Sequence, residues 1–217
     1  MYQAFKNAKG YIFDVDGTIM DSHDAHYRAW DRITRVHNLT YEKEQIVQHF
    51  GKTTPQIAMA LFKRDDAEFI DAVSEEKEGY FIEEIPSVDM YNGAKDVFNR
   101  LKNLGKKTCL ASSNVREAIW QVIISHGLEG VIDAHVGLDD IKEGKPDPEI
   151  IFKSAEMLGL KVSECIMVGD SIYDIQAGNA AGCFTVAVLT GIFSRSELKA
   201  EHANLVLEDV SKLLDYI

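Results

Sequence analysis

Cysteine is scarce in this 217-residue chain: Cys109, Cys165 and Cys183 are an odd set with no C-x-x-C spacing. That excludes a disulfide framework and a cysteine-built zinc site. Each lies in or beside an apolar segment, so three reduced, buried thiols in a cytoplasmic protein are expected. Positive charge is also short, with 23 Lys and Arg against 35 Asp and Glu and a formal net charge of −12. A balance of that sign disfavours nucleic acid and anionic membrane as partners. An anionic small molecule would need locally concentrated positive charge. No apolar run approaches the ~18 residues of a membrane span. Met1-Tyr2-Gln3-Ala4-Phe5-Lys6 lacks a basic region followed by an apolar stretch, so no secretory signal is expected. Repeats and low-complexity tracts are absent too. What is present is ordinary globular composition, 46% hydrophobic and 27% charged, in a length that suits about one core plus a modest insertion.

The chain divides by texture. Tyr11-Ile12-Phe13 followed by Val15 reads as a short strand buried in a parallel sheet. Residues 22 to 84 read as helical throughout, with Thr54-Pro55 placed as an N-cap and a first-position proline. Pro86 ends this block. Helices and strands then alternate. Asn92-Gly93 opens a helix that Gly105 closes, and Thr108 to Ala111 is a strand. Asn114 is expected to cap a helix that stops at Gly127, and Val131-Ile132 with Ala134 and Val136 make a weaker strand. Asp147-Pro148 starts a helix that buries Ile151, Ala155 and Leu158 and ends at Gly159. Cys165 to Val168, Phe184 to Leu189 and Leu205 to Leu207 supply the remaining strands. The pattern predicts an α/β fold, a doubly wound parallel sheet with an all-helical domain inserted after its first strand. Residues 1–17 and 87–217 would form the core and 18–86 the insertion.

In such sheets ligands bind at the carboxyl ends of the strands. There the sequence places Asp14-Val15-Asp16-Gly17-Thr18, then Ser112-Ser113-Asn114, then Gly144-Lys145-Pro146-Asp147-Pro148, then Gly169-Asp170-Ser171 with Asp174 close behind. Alternation along a strand points Asp14 and Asp16 to the same side. Two carboxylates held close repel unless a cation lies between them, and Asp170 adds a third hard oxygen donor suited to Mg²⁺. Singly, most of these pieces are ordinary turns and caps. Together, in this order and at these strand ends, they describe one site.

These motifs resemble those of the haloacid dehalogenase-like hydrolase superfamily, in its phosphoglycolate phosphatase-like and β-phosphoglucomutase-like branch. The resemblance spans nearly the whole chain. DxDGT is matched by Asp14 to Thr18, the Ser/Thr ending strand two by Ser112, the lysine of a GKPDP turn by Lys145, and GDSxxD by Gly169 to Asp174. The tail Gln176 to Gly182 also looks like that branch. The resemblance implies a Rossmann-like core and a helical cap over the site. It implies Asp14 as nucleophile and Asp16 as general acid and base. Mg²⁺ would be held by Asp14, the main-chain carbonyl of Asp16, and Asp170. Ser112, Lys145 and the region of Ser113 and Asn114, with its N–H groups at a helix start, would bind the phosphoryl oxygens of a small phosphate ester. Asp174 would orient Lys145 or metal-bound water from behind.

Within that superfamily, an acid at Asp16 marks phosphoryl transfer. Phosphonate-cleaving relatives carry Ala there and use a cap lysine, a role Lys52 does not fit well. The closer contest is with the sugar-phosphate mutase. His26 and Trp30 resemble its first cap segment, where a histidine positions the acid-base aspartate. Four residues apart, the two would equally share one packed helix face. Thr54 falls where the mutase carries an arginine for a distal phosphate, and that favours the phosphatase reading. A non-enzymatic scaffold would show decay at Asp14, Asp16, Lys145 or Asp170, and none has decayed. His23, His26 and His37 do not form a metal-site pattern. Neither the particular ester nor the oligomeric state is written in the sequence.

Overall fold

The computed structural model describes residues 2–217. Short 3₁₀ turns aside, α1 (Tyr2–Asn7) and β1 (Gly10–Phe13) are followed by four helices, α2 (His23–Val36), α3 (Lys43–Val47), α4 (Thr54–Phe62) and α5 (Ala67–Glu84). The alternating part follows, with α6 (Ala94–Asn103), β2 (Lys107–Ala111), α7 (Arg116–Ser125), β3 (Ala134–Val136), α8 (Glu149–Leu158) and β4 (Cys165–Gly169). It ends with α9 (Ile172–Ala181), β5 (Phe184–Val188), α10 (Arg195–Ala200) and β6 (Leu205–Leu207).

All six strands are parallel, in the order β3-β2-β1-β4-β5-β6. β1 is central, with Ile12 level with Cys109 on one side and Met167 on the other. Two-residue alternation sends neighbours to opposite faces, and both faces are buried, so the strands read as unbroken apolar runs. Tyr11, Phe13, Leu110, Ile166 and Val168 pack on one face with Val97, Phe98 and Leu101 of α6 and Ile119 and Val122 of α7. Ile12, Cys109, Ala111, Cys165 and Met167 pack on the other with Ile150, Ile151, Ala155 and Leu158 of α8. The chain fills β1 to β3 in one direction and then returns to fill β4 to β6 in the other. The boundary of β1 and β4 is therefore the switch point, where an open α/β sheet leaves a crevice at its carboxyl edge.

The helices α2 to α5 interrupt this scheme directly after β1 and carry an apolar cluster of their own. Trp30 and Ile33 of α2 meet Ile46, Phe50, Ile57, Ala58 and Leu61, with Ile70 and Val73 of α5 closing the group. No helix among the described residues is long and apolar enough to cross a membrane.

Local details differ from the sequence reading in four places. The N-cap of α4 is Thr53 and not Thr54: Thr53 N–H donates to Gln56 Oε1 at 3.1 Å in a reciprocal capping box. Either threonine satisfies the chemistry, and the proline tolerates both registers. The cap of α7 is Val115 and not Asn114, because the Asn114 amide is drawn into the cleft. β3 begins at Ala134, leaving Val131 and Ile132 in a turn whose N–H groups bond Leu128 O. β1 ends at Phe13, so Asp14 and Asp16 lie on the loop just beyond it.

Candidate active site

Asp14, Asp16, Ser113, Asn114, Lys145, Asp170 and Asp174 converge on one cleft at the carboxyl edge of the sheet. Its other wall comes from the helical insert through His23, His26, Trp30, Phe50, Lys52, Thr54, Ile57 and Lys77. Of the residues read from the sequence, only Ser112 stays outside the lining. It is buried at the end of β2 and reaches the site through its hydroxyl.

Lys145 organises the floor. Its ammonium, 3% exposed as a residue, donates to Asp14 Oδ1 at 2.5 Å, Asp174 Oδ1 at 2.7 Å and Ala111 O at 3.0 Å. Three donors meet three acceptors, so a buried cation is fully satisfied. Burial alone would lower its pKa, but the charges of Asp14 and Asp174 outweigh it and hold the lysine protonated. The second Asp174 oxygen accepts the Ser171 hydroxyl at 2.6 Å and its N–H at 3.1 Å. Asp174 is thereby used up as a bracket for Lys145.

Asp14, Asp170 and Asp174 lie close enough for one oxygen of each to fall within 4.8 Å of the others. Burial pushes Asp14 up to about 7, with the charges of Asp174 and Asp16 adding to it against Lys145. Asp170 is raised well above the carboxylate range by burial and then by Asp14 and Asp174. This is the electrostatic signature of hard oxygen donors prepared for a cation. The cradle agrees: a Cβ on Gly191 would fall 1.8 Å from Asp170 Oδ2, and one on Gly17 2.6 Å from it. Only backbone fits there. The donor set fits Mg²⁺ through Asp14 and Asp170. The carboxylate of Asp16, expected only to offer its main-chain carbonyl, stays out of the cluster, and no histidine joins among the described residues.

Asp16 is instead saturated by hydrogen bonds. Ser22 donates to Oδ1 at 2.6 Å and His26 Nε2 lies 2.9 Å from the same oxygen. Asn114 Nδ2 donates to Oδ2 at 2.7 Å and Ser112 Oγ at 3.2 Å. Ser112 and Asn114, expected to face phosphoryl oxygens, thus hold Asp16 here, and the Asn114 N–H is itself given to Ser112 Oγ at 3.1 Å. Burial pushes the Asp16 carboxyl up. His26 beside it, the Ser22 hydroxyl and the Lys77 charge outweigh burial and hold it well below the usual range.

Sequence reasoning missed what stands behind His26. Lys77 of α5, 1% exposed, lies 3.0 Å from His26 Nδ1. With the ammonium as donor, Nδ1 accepts and Nε2 is the nitrogen that donates to Asp16. Lys77 also pairs with Glu78 Oε1 at 3.3 Å, and the Thr54 hydroxyl donates to that same oxygen. The His26 ring stacks on Phe81 with centroids 3.8 Å apart. A signal existed. Ile70, Val73, Ser74, Lys77, Glu78 and Phe81 form the buried stripe of α5 at three- and four-residue steps, so two charges sit on its apolar face.

A switch-point cleft with a lysine-held aspartate beside a cation-ready aspartate defines a hydrolase site of the α/β class. The chain belongs to the haloacid dehalogenase-like hydrolase family, whose model matches residues 11–188. It is 30% identical over 208 residues to a Caldanaerobacter subterraneus subsp. tengcongensis protein placed by name among the PpaX pyrophosphatases, covering 95% of this chain and 93% of that one. It is 28% identical to the fructose-1-phosphate phosphatase YqaB of Escherichia coli K12, over 87% of this chain and 98% of the relative. A β-phosphoglucomutase structure from Clostridium difficile superposes with a TM-score of 0.83 at 25% identity, covering 95% and 93% of the two chains.

Proposed function

We propose that this enzyme is a Mg²⁺-dependent phosphatase of small phosphate compounds, working through an aspartyl-phosphate on Asp14. The observation that carries the reading is the pairing of Asp14, gripped by Lys145 and flanked by Asp170, with a separately held Asp16 across the same cleft. The names of the pyrophosphatase and sugar phosphatase relatives support the substrate class. Three buried free thiols support a cytoplasmic setting.

In this reading an oxygen of Asp14 attacks phosphorus in line while Asp16, protonated once it turns from its hydrogen-bond partners toward the substrate, gives that proton to the departing oxygen. Asp16, now a carboxylate, takes a proton from water as that water attacks the aspartyl-phosphate, releasing inorganic phosphate and restoring Asp14. Mg²⁺ held by Asp14, Asp170 and the Asp16 carbonyl would supply positive charge against the phosphoryl oxygens. Lys145 neutralises Asp14 so that an anionic substrate can approach it. Ser112, Ser113 and Asn114 stand at the end of β2 to bind phosphoryl oxygens once Asp16 turns toward substrate. Residues 18–86 act as a cap whose closure excludes bulk water and brings His26 to Asp16.

The test is turnover of an aryl phosphate with Mg²⁺. EDTA and Asp14→Asn should each abolish it, and full activity under either condition refutes the mechanism. A mutase is the second reading, favoured by the His26–Asp16 contact and by the C. difficile likeness. Against it, the Thr54 hydroxyl is committed to Glu78 and offers no grip for a distal phosphate. β-Glucose 1-phosphate with a trace of its bisphosphate should yield no appreciable glucose 6-phosphate. Rapid isomerisation without phosphate release would reverse the choice.

A further inference from the structure

The amino end of the sheet carries a second pocket that shares no lining residue with the cleft. Phe5 and Lys6 of α1, Lys106 just ahead of β2, and Tyr216 stand around it, and Leu104 and Ile217 add apolar surface. Tyr11 reaches it from β1. The β1 backbone is paired on both sides there, with Tyr11 level with Thr108 of β2 and Ile166 of β4. It is therefore the Tyr11 side chain that meets the pocket.

Two observations set this pocket apart from an ordinary surface hollow. The first is the Tyr11 hydroxyl. Tyr11 is 0% exposed, and its hydroxyl has no hydrogen-bond partner among the described residues. Burial raises its pKa, so it stays a neutral donor. Buried polar groups are nearly always bonded, and a free donor at a pocket wall points to an acceptor carried by a ligand. The second is charge. Lys6 is exposed and Lys106 half-buried. Lys106 gives one N–H to Ala8 O and keeps two more. Among the described residues neither lysine makes an ion pair. Two unpaired cations on one pocket stand out in a chain of net charge −12. Between them and Tyr11 the wall is aromatic, with the Phe5 and Tyr216 rings 5.1 Å apart.

We infer that this pocket binds a small aromatic carboxylate. Its ring lies against Phe5 and Tyr216, its carboxylate pairs with Lys6 and Lys106, and its far end carries an acceptor for the Tyr11 hydroxyl. The order of these contacts follows from burial, since the lysines are the exposed wall and the phenol the buried one. A purely apolar ligand would leave the phenol unbonded, and a neutral one would gain nothing from the lysines. The site takes a second molecule, because the cleft lies at the opposite end of the same strand.

Isothermal titration with 4-acetylbenzoate, 4-ethylbenzoate and 4-acetylbenzamide separates these contacts. Wild-type protein should bind 4-acetylbenzoate most tightly. Losing the carbonyl acceptor or the charge should each weaken binding about 3- to 10-fold, the range of one hydrogen bond. Tyr11→Phe should bind 4-acetylbenzoate and 4-ethylbenzoate alike. Lys6→Met combined with Lys106→Met should no longer distinguish the acid from the amide. Tyr11→Phe removes only an unpartnered hydroxyl, so its Tm without ligand should match or exceed that of the wild type, and 4-acetylbenzoate should raise it less. No binding to the wild type, equal affinity for acid and amide or for the acetyl and ethyl compounds, or an acetyl preference that persists in Tyr11→Phe overturns the inference. All of these read binding and not turnover, so the phosphatase reading stands or falls separately.

Discussion

Asp16 accepts from Ser22 and His26 on the insert side and from Ser112 and Asn114 on the core side. That fills the lone-pair sites of one carboxylate and ties the two halves of the molecule through a single residue. It also sets the chemistry. The same contacts hold the Asp16 carboxyl well below the usual range, which suits the base that the proposed mechanism assigns to it in the hydrolytic half-reaction. Replacing His26 by Asn removes a cause of that lowering, so the Asp16 pKa should rise. Water activation needs the carboxylate, and the acid limb of aspartyl-phosphate hydrolysis should therefore move to higher pH. Single-turnover decay of the intermediate against pH checks this, and an unmoved limb would deny the coupling. Asp14, Asp16 and Asp170 stood out in the sequence because they follow directly on apolar strands, and Lys145 because of its Gly-Lys-Pro-Asp-Pro turn ahead of α8. Of the partners of Asp16, His26 entered the sequence reading only through the resemblance to the mutase, and Ser22 did not enter it at all. The contact of Asp16 with His26 depends on how the insert docks, and no local pattern encodes docking.

α5 illustrates what a helix can conceal. Its apolar stripe carries Lys77 and Glu78 in buried positions, while acidic residues around them make the segment look like a solvated face. Glu78 Oε2 has no partner, and Oε1 is shared by Lys77 and Thr54. Removing one member of such a pair strands the other charge in low dielectric. Lys77→Met should destabilise the protein by about 3 kcal/mol or more, and adding Glu78→Gln should recover part of that loss. Urea unfolding of the two single variants and the double variant measures the coupling. Strict additivity would show that the pair is not energetically linked. The strands were simpler to read. Being buried on both faces, β1, β2 and β4 need continuous apolar residues, and continuity survives in one dimension. The cap of α4 was misplaced by one residue because Thr53 and Thr54 are chemically equivalent candidates, and only the capping box with Gln56 decides between them.

At the scale of the molecule, a chain of net charge −12 concentrates three buried aspartates at the switch point of its sheet. Lys145 compensates part of this, yet burial and mutual repulsion still raise Asp14 to about 7 and push Asp170 up. The linkage follows from the sign. In the metal-free enzyme the folded Asp14 keeps its proton longer than the unfolded chain does. Its contribution to stability is therefore present below the unfolded carboxylate range and is lost as pH rises toward about 7. The proposed Mg²⁺ would reverse that trend, since the ion requires the carboxylates ionised and releases their protons. At a Mg²⁺ concentration 100-fold above Kd, binding to the native state adds about 2.7 kcal/mol, which for a chain of this size raises Tm on the order of 5 °C or more. That shift should grow from pH 6 to pH 8, because fewer protons remain to be displaced. Asp170→Asn should remove most of it, taking away one donor while relieving repulsion, so that the variant without metal matches or exceeds the metal-free wild type in Tm. Thermal melts at two pH values, with and without Mg²⁺, read this independently of turnover. A Mg²⁺ shift that is flat with pH, or preserved in Asp170→Asn, would place the ion elsewhere than between these carboxylates.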